Sequence, residues 1–206
     1  MISDLDNSVT WTYLDSHANM VCLGKYALII EDTGKTVDVK PFTPDYNTLQ
    51  KVPVVTGALI TECAFTGGTQ TFIFRNALSV PAMDRNLVPP FILREAGLIV
   101  NDTPKIHVKY PSVEDHTIFF PKYDVRIPLS LNGIFSCFPS SKPSIDDMDI
   151  CDDIFLMIPK GTWNPHTDDY AQNEENILDY EGNMINNKDR VKIILEEIFL
   201  DEALAA

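Results

Sequence analysis

A buried strand that ends in an aspartate, followed by a hydroxyl residue and a small residue, can hold one carboxylate at a fixed point. The segment Tyr13-Leu14-Asp15-Ser16-His17-Ala18 has that order: an apolar pair, Asp15, the Ser16 hydroxyl, a variable position and Ala18. Two carboxylates brought to about 3 Å share one proton, because like charges that close cannot both ionise, and the split titration leaves one acid and one base. Such a pair can activate water. The segment itself supplies a single carboxylate.

Other polar clusters carry weaker chemistry. His107 and His116 flank a loop with Glu114 and Asp115 and read as surface histidines rather than metal ligands. Asp146, Asp147, Asp149, Asp152 and Asp153 lack the glycine and closing glutamate of a calcium loop and read as a solvated acidic stretch. Trp163-Asn164-Pro165-His166 reads as a turn anchored by one aromatic ring. Cys22, Cys63, Cys137 and Cys151 are far apart, without a Cys-x-x-Cys pair, and read as free thiols in a reducing compartment. No phosphate loop, Gly-x-Ser-x-Gly or His-Glu-x-x-His run occurs, and neither a metal nor a cofactor is expected.

The elements that must position Asp15 are mainly β. Between residues 11 and 108 the apolar runs are short, rich in Val, Ile, Phe, Tyr and Thr, and broken by Gly, Pro, Asn or Asp. Strands are predicted near 10–14, 20–30, 36–41, 52–62, 70–80 and 98–100. Glu31-Asp32-Thr33-Gly34-Lys35 and Phe65-Thr66-Gly67-Gly68-Thr69 both fit hairpin turns whose glycine supplies positive φ. Pro89-Pro90-Phe91-Ile92-Leu93-Arg94-Glu95-Ala96-Gly97 fits a short helix, with prolines in its first turn and Gly97 just past its end. Further β segments are predicted at 105–110, 117–121, 125–131 and 133–138. Residues 140–153 are linker-like, 164–190 are poor in apolar anchors, and 187–205 fit an amphipathic helix with Val191, Ile194, Leu195, Ile198 and Leu204 on one stripe.

At 206 residues and 45% hydrophobic content the chain can bury one sizeable core. Its formal charge of -14 is concentrated late: residues 1–145 carry 14 acidic and 12 basic side chains, residues 146–206 carry 16 and 4. Such a surface repels phosphate backbones, and no Lys/Arg stripe offsets it, so direct nucleic-acid binding is disfavoured. The N-terminus lacks the pattern of a signal peptide, and no run of about 18 apolar residues occurs. A cytoplasmic chain without membrane contact is expected.

The run Arg75-Asn76-Ala77-Leu78-Ser79-Val80-Pro81-Ala82-Met83-Asp84-Arg85-Asn86-Leu87-Val88, with the Phe91 to Gly97 helix behind it, resembles the Gag-Pol polyproteins of copia-type LTR retrotransposons. Asp115-His116-Thr117-Ile118-Phe119-Phe120-Pro121 and Ile127-Pro128-Leu129-Ser130-Leu131-Asn132-Gly133-Ile134-Phe135-Ser136 extend the similarity, which covers residues 11–138. The resemblance implies a retropepsin-like closed β-barrel with one short helix over residues 9–110. A small β-rich extension at 111–139 and an acidic linker-like segment ending in a helix at 140–206 would follow it. It implies an aspartic endopeptidase that processes polyprotein junctions as a homodimer, in the cytoplasm or within virus-like particles, with Asp15 and its symmetry mate activating water. Ser16 would brace the loop across the dimer, supported by His17 and Ala18, and Phe42, Thr43 and Tyr46 would belong to a substrate flap. His17 stands where that family usually has glycine, which tolerates unusual φ and close backbone approach; an imidazole there adds bulk and a second titrating group. Asp32-Thr33-Gly34 spells the family's commonest triplet, but at a polar turn, flanked by Glu31 and Lys35 rather than an apolar approach and alanine. A catalytically inactive interaction segment of the same polyprotein is the alternative.

Overall fold

The computed structural model describes residues 9–40, 47–63, 67–157 and 163–184. Its first compact unit runs Met1–Trp163 and its second Asn164–Ala206. The first unit is mainly β, as its Val, Ile, Phe and Thr content dictates. Strand β1 (Thr10–Leu14) is followed by β2 (Cys22–Leu23), β3 (Leu28–Val39), β4 (Leu49–Glu62), β5 (Thr69–Ser79) and β6 (Asn86–Val88). Helix α1 (Pro90–Glu95) leads to β7 (Ile99–Asn101). After a 3₁₀ turn at Lys105–His107 come β8 (Thr117–Phe120), β9 (Val125–Pro128), β10 (Ser130–Asn132), β11 (Phe135–Ser140), α2 (Ile145–Ile150) and β12 (Asp153–Met157).

The main sheet has nine strands in the order β10-β11-β1-β6-β2-β5-β4-β3, with β12 added to β5 off that path. Strands β7, β8 and β9 form a separate three-stranded sheet. Among the described residues the main sheet ends at β10 and β3 and does not close on itself, so the closed barrel expected from the sequence is not found. One core joins the two sheets. Leu23, Leu59, Phe72, Phe74, Val88, Ile118, Phe120, Ile127, Phe138 and Phe155 lie in a single buried cluster.

Local chemistry accounts for most of the turns. At the β4–β5 turn the Gly67 N–H donates to the Cys63 carbonyl at 2.8 Å, with Gly67 at φ +69°. Helix α1 begins with Pro90, whose missing N–H costs nothing there. It closes with Gly97 at φ +85°, where the N–H groups of Gly97 and Leu98 donate to Arg94 and Leu93.

Three expectations are corrected. Glu31 to Lys35 is not a hairpin: β3 runs straight through it against β4, and the extra residues are absorbed as a register shift between Asp32 and Lys35. Gly34 takes its positive φ inside this bulge, and the Thr33 hydroxyl donates to the Val54 carbonyl at 2.6 Å. Residues 105–107 form a 3₁₀ turn rather than a strand, since Pro104 fixes the turn's entry and the His107 N–H bonds back to its carbonyl. The third correction concerns the linker-like stretch. Ser144 caps α2 by accepting from the Asp147 N–H while the Asp147 carboxylate accepts from the Ser144 N–H. Strand β12 then pairs in parallel with β5 from Asp153↔Gln70 to Met157↔Phe74 and buries Phe155 and Met157. Helix α2 and strand β12 thus lie within the first unit. The amphipathic stripe at 187–205 lies outside the described residues. In the second unit, α3 (Asp169–Glu175) buries none of its residues, as its lack of apolar anchors predicts.

Burial of His116 adds a pH dependence. Its φ is +55°, its side chain is buried rather than at the surface as the sequence suggested, and Nε2 lies 2.9 Å from the Ser136 hydroxyl. Burial first, and then the Lys105 charge, hold its pKa below the ordinary histidine value, with Asp102 acting the other way. The unfolded chain thus binds a proton that the folded chain refuses. Stability is full above a pH of about 6.5 and declines as acidification carries the unfolded-state imidazole through its titration, until the folded-state pKa is passed. Urea midpoints measured from pH 8 to pH 5 should fall more steeply for the wild type than for His116→Asn, since asparagine also accepts left-handed backbone. Parallel curves would contradict this role.

Candidate active-site loop

Strand β1 delivers Asp15 from between two partners. It pairs with β11 in antiparallel register (Thr12↔Phe138) and with β6 in parallel register (Thr12↔Asn86, Leu14↔Val88). The Asp15 N–H continues that parallel ladder, donating to the Val88 carbonyl at 3.1 Å. Past it the chain turns: the Ala18 N–H donates to the Asp15 carbonyl at 3.4 Å, and the His17 N–H donates to Asp15 Oδ1 at 2.9 Å. The carboxylate is thereby oriented by its own loop while the side chain stays 34% exposed.

His17 departs from the resemblance without straining the backbone. The described non-glycine residues with positive φ are Lys51, Asn76, His116 and Asp124, so the loop does not impose a glycine conformation on position 17. The imidazole is 83% exposed, with Nδ1 3.9 Å from Asp15 Oδ1 and 3.5 Å from the Ser16 hydroxyl. Within one chain, Ser16 thus faces its own loop.

Beneath the loop lies a buried polar network that reading the sequence did not single out. Asn86, fully buried, accepts the Gly24 N–H through Oδ1 at 2.9 Å and donates through Nδ2 to the Thr12 hydroxyl at 3.3 Å. Thr12 in turn lies 2.7 Å from the Ser140 hydroxyl. A side chain at Gly24 would place its Cβ 2.5 Å from the Arg85 carbonyl and 2.6 Å from that of Met83, so glycine is required by close backbone approach. The network ties β1, β2, β6 and β11 together. Asn86→Ala would orphan the Gly24 N–H and should lower stability by about 1–3 kcal/mol in urea unfolding. A loss within experimental error would mean that the network does not hold these strands.

Two neighbours complete the setting. Cys22, on β2, has its thiol pushed up to about 11, by burial first and then by the Asp15 charge, so it stays protonated near the loop. Tyr13 packs edge-on against Phe135, carries Arg85 over its ring at 4.9 Å, and accepts from Asn132 Nδ2 at 2.6 Å. The ring is fixed on the residue two before Asp15.

The remaining sequence candidates fall elsewhere. Asp32-Thr33-Gly34 sits in the bulge of the sheet-end strand β3, where Asp32 Oδ1 accepts the Gly34 N–H at 2.9 Å. Phe42, Thr43 and Tyr46 lie outside the described residues, in the connection between the paired strands β3 and β4. Among the described residues no group of three or more His, Cys, Asp and Glu could hold a metal ion, and no helix is long and apolar enough to cross a membrane. None of the four cysteines is in a disulfide. No family model, curated protein or solved structure matches the chain.

Proposed function

We propose that this chain is a retropepsin-like aspartic endopeptidase from a copia-type Gag-Pol polyprotein, acting on polypeptide junctions as a homodimer. The observation that carries the reading is the loop itself. Asp15 leaves a buried strand, its N–H is held by the parallel strand β6, its carboxylate accepts a main-chain N–H, and its side chain stays partly exposed. In the dimer, Asp15 and its mate share one proton. The ionised carboxylate takes a proton from a bound water as it attacks the peptide carbonyl, and the protonated one donates to the carbonyl oxygen. The reading places a substrate-covering flap at residues 41–46, with Phe42, Thr43 and Tyr46, in the connection between the antiparallel strands β3 and β4.

One observation favours the alternative, an inactive interaction segment of the same polyprotein. The exposed His17 ring stands beside the carboxylate, with Nδ1 3.9 Å from Asp15 Oδ1, and adds bulk where that family usually has glycine. The two readings separate in one experiment. Purified protein is incubated with Gag-Pol junction peptides at mildly acidic pH, with and without a pepstatin-type inhibitor, while its mass is measured by sedimentation. The protease reading expects inhibitor-sensitive cleavage by a dimer. Cleavage by a strict monomer, or none from a verified dimer, overturns it.

A further inference from the structure

Trp163 is far from Asp15 in sequence and close to its loop in space. The indole N–H donates to the carbonyl of Asn19 at 3.0 Å, across 144 positions of chain. Its ring lies 6.1 Å from that of Phe91 on α1 and packs against the main buried cluster. The loop is thus held at two points: Asp15 at its start by β6, and Asn19 at its end by an aromatic residue that follows β12. Between these points the hydrogen bonds among the described residues are the loop's own, Asp15–His17, Asp15–Ala18 and Ser16–His17.

We propose that Trp163 is a positioning residue for the Asp15 loop, so that residues beyond β12 belong to the functional unit. This rests on the protease reading only for its catalytic consequence. The geometric claim is independent of it. A free loop end would let the Asp15–Ala18 turn open, and the carboxylate would lose the main-chain donor that orients it. An indole suits the task because it is wide enough to pack on Phe91 and carries a donor at its rim.

The test is amide hydrogen exchange on the full-length chain, comparing wild type, Trp163→Phe and Trp163→Ala. Exchange at His17 and Ala18 should accelerate in Trp163→Ala. It should accelerate less in Trp163→Phe, which keeps a ring and loses the N–H. Exchange in the β4 and β5 ladder should stay at the wild-type rate in both. Unchanged loop exchange in both variants would overturn the proposal. So would a uniform rise through β4 and β5, which would make Trp163 a general packing residue. If the chain cleaves peptides, Trp163→Phe should lower kcat more than it raises KM. Loop exchange that responds in a chain without peptidase activity would reject the protease reading while leaving the clasp in place.

Discussion

If the chain is the proposed endopeptidase, Asp15→Asn is expected to remove its inhibitor-sensitive peptide cleavage, with a fall of at least about 10²- to 10⁴-fold, the range that a positioned acid–base group contributes. Asparagine cannot take the proton from water, and in the proposed dimer both sites change at once. The substitution separates chemistry from folding unusually well. The Asn side-chain oxygen can still accept the His17 N–H that Asp15 Oδ1 accepts at 2.9 Å, and the Asp15 N–H bond to Val88 belongs to the main chain. The urea midpoint should therefore stay near that of the wild type. Both proteins must be compared at one pH, because the buried His116 makes the fold itself weaken on acidification. Cleavage that survives in Asp15→Asn would end the assignment of Asp15.

Phe72→Ala should be the most damaging single truncation of the core, costing about 3–5 kcal/mol against a total stability on the order of 5–15 kcal/mol. Phe72 is 2% exposed and its ring meets three others: Phe120 stacked at 5.6 Å, Phe138 edge-on at 5.9 Å and Phe155 tilted at 6.0 Å. These rings come from β8, β11 and β12, so the cavity would open where the three-stranded sheet, the strand beside β1 and the added parallel strand converge on β5. Urea unfolding followed by circular dichroism reads the loss directly. A cost below about 1 kcal/mol would be incompatible with a close-packed site.

What was legible in the sequence follows from the range of the forces involved. β1, β4, β5 and α1 announce themselves through local signals: alternating apolar residues, prolines in a first helical turn, and Gly97 past its end. The Gly67 turn was readable and the Gly34 bulge was not, although both glycines carry a positive φ near 70°. Gly34 differs because β4 is long enough to pair on both sides of it, a property of the partner strand rather than of the segment. Strand β12 was hidden for a related reason. Its acidic neighbours, Asp146 to Asp153, look solvated, while Ile154-Phe155-Leu156-Met157 gains its place only by pairing with β5 more than 80 positions earlier. The capping box at Ser144 and Asp147 was a local signal that could have marked α2. The site divides in the same way. Asp15 stood out by its neighbours, whereas Asn86, Thr12, Ser140 and Trp163 matter through hydrogen bonds spanning 62 to 144 positions, which no periodicity records.

The placement of β1 between β11 and β6 also sets a timetable. Thr12 finds Asn86 and Phe138 as its register partners, so the strand leading to Asp15 is fixed only once segments 74 and 126 positions further along the chain are available to pair with it. Contacts this distant in sequence are slow to form. Asp15 is therefore held in place only by partners made well after it, which delays any chemistry at its loop until those later strands have folded.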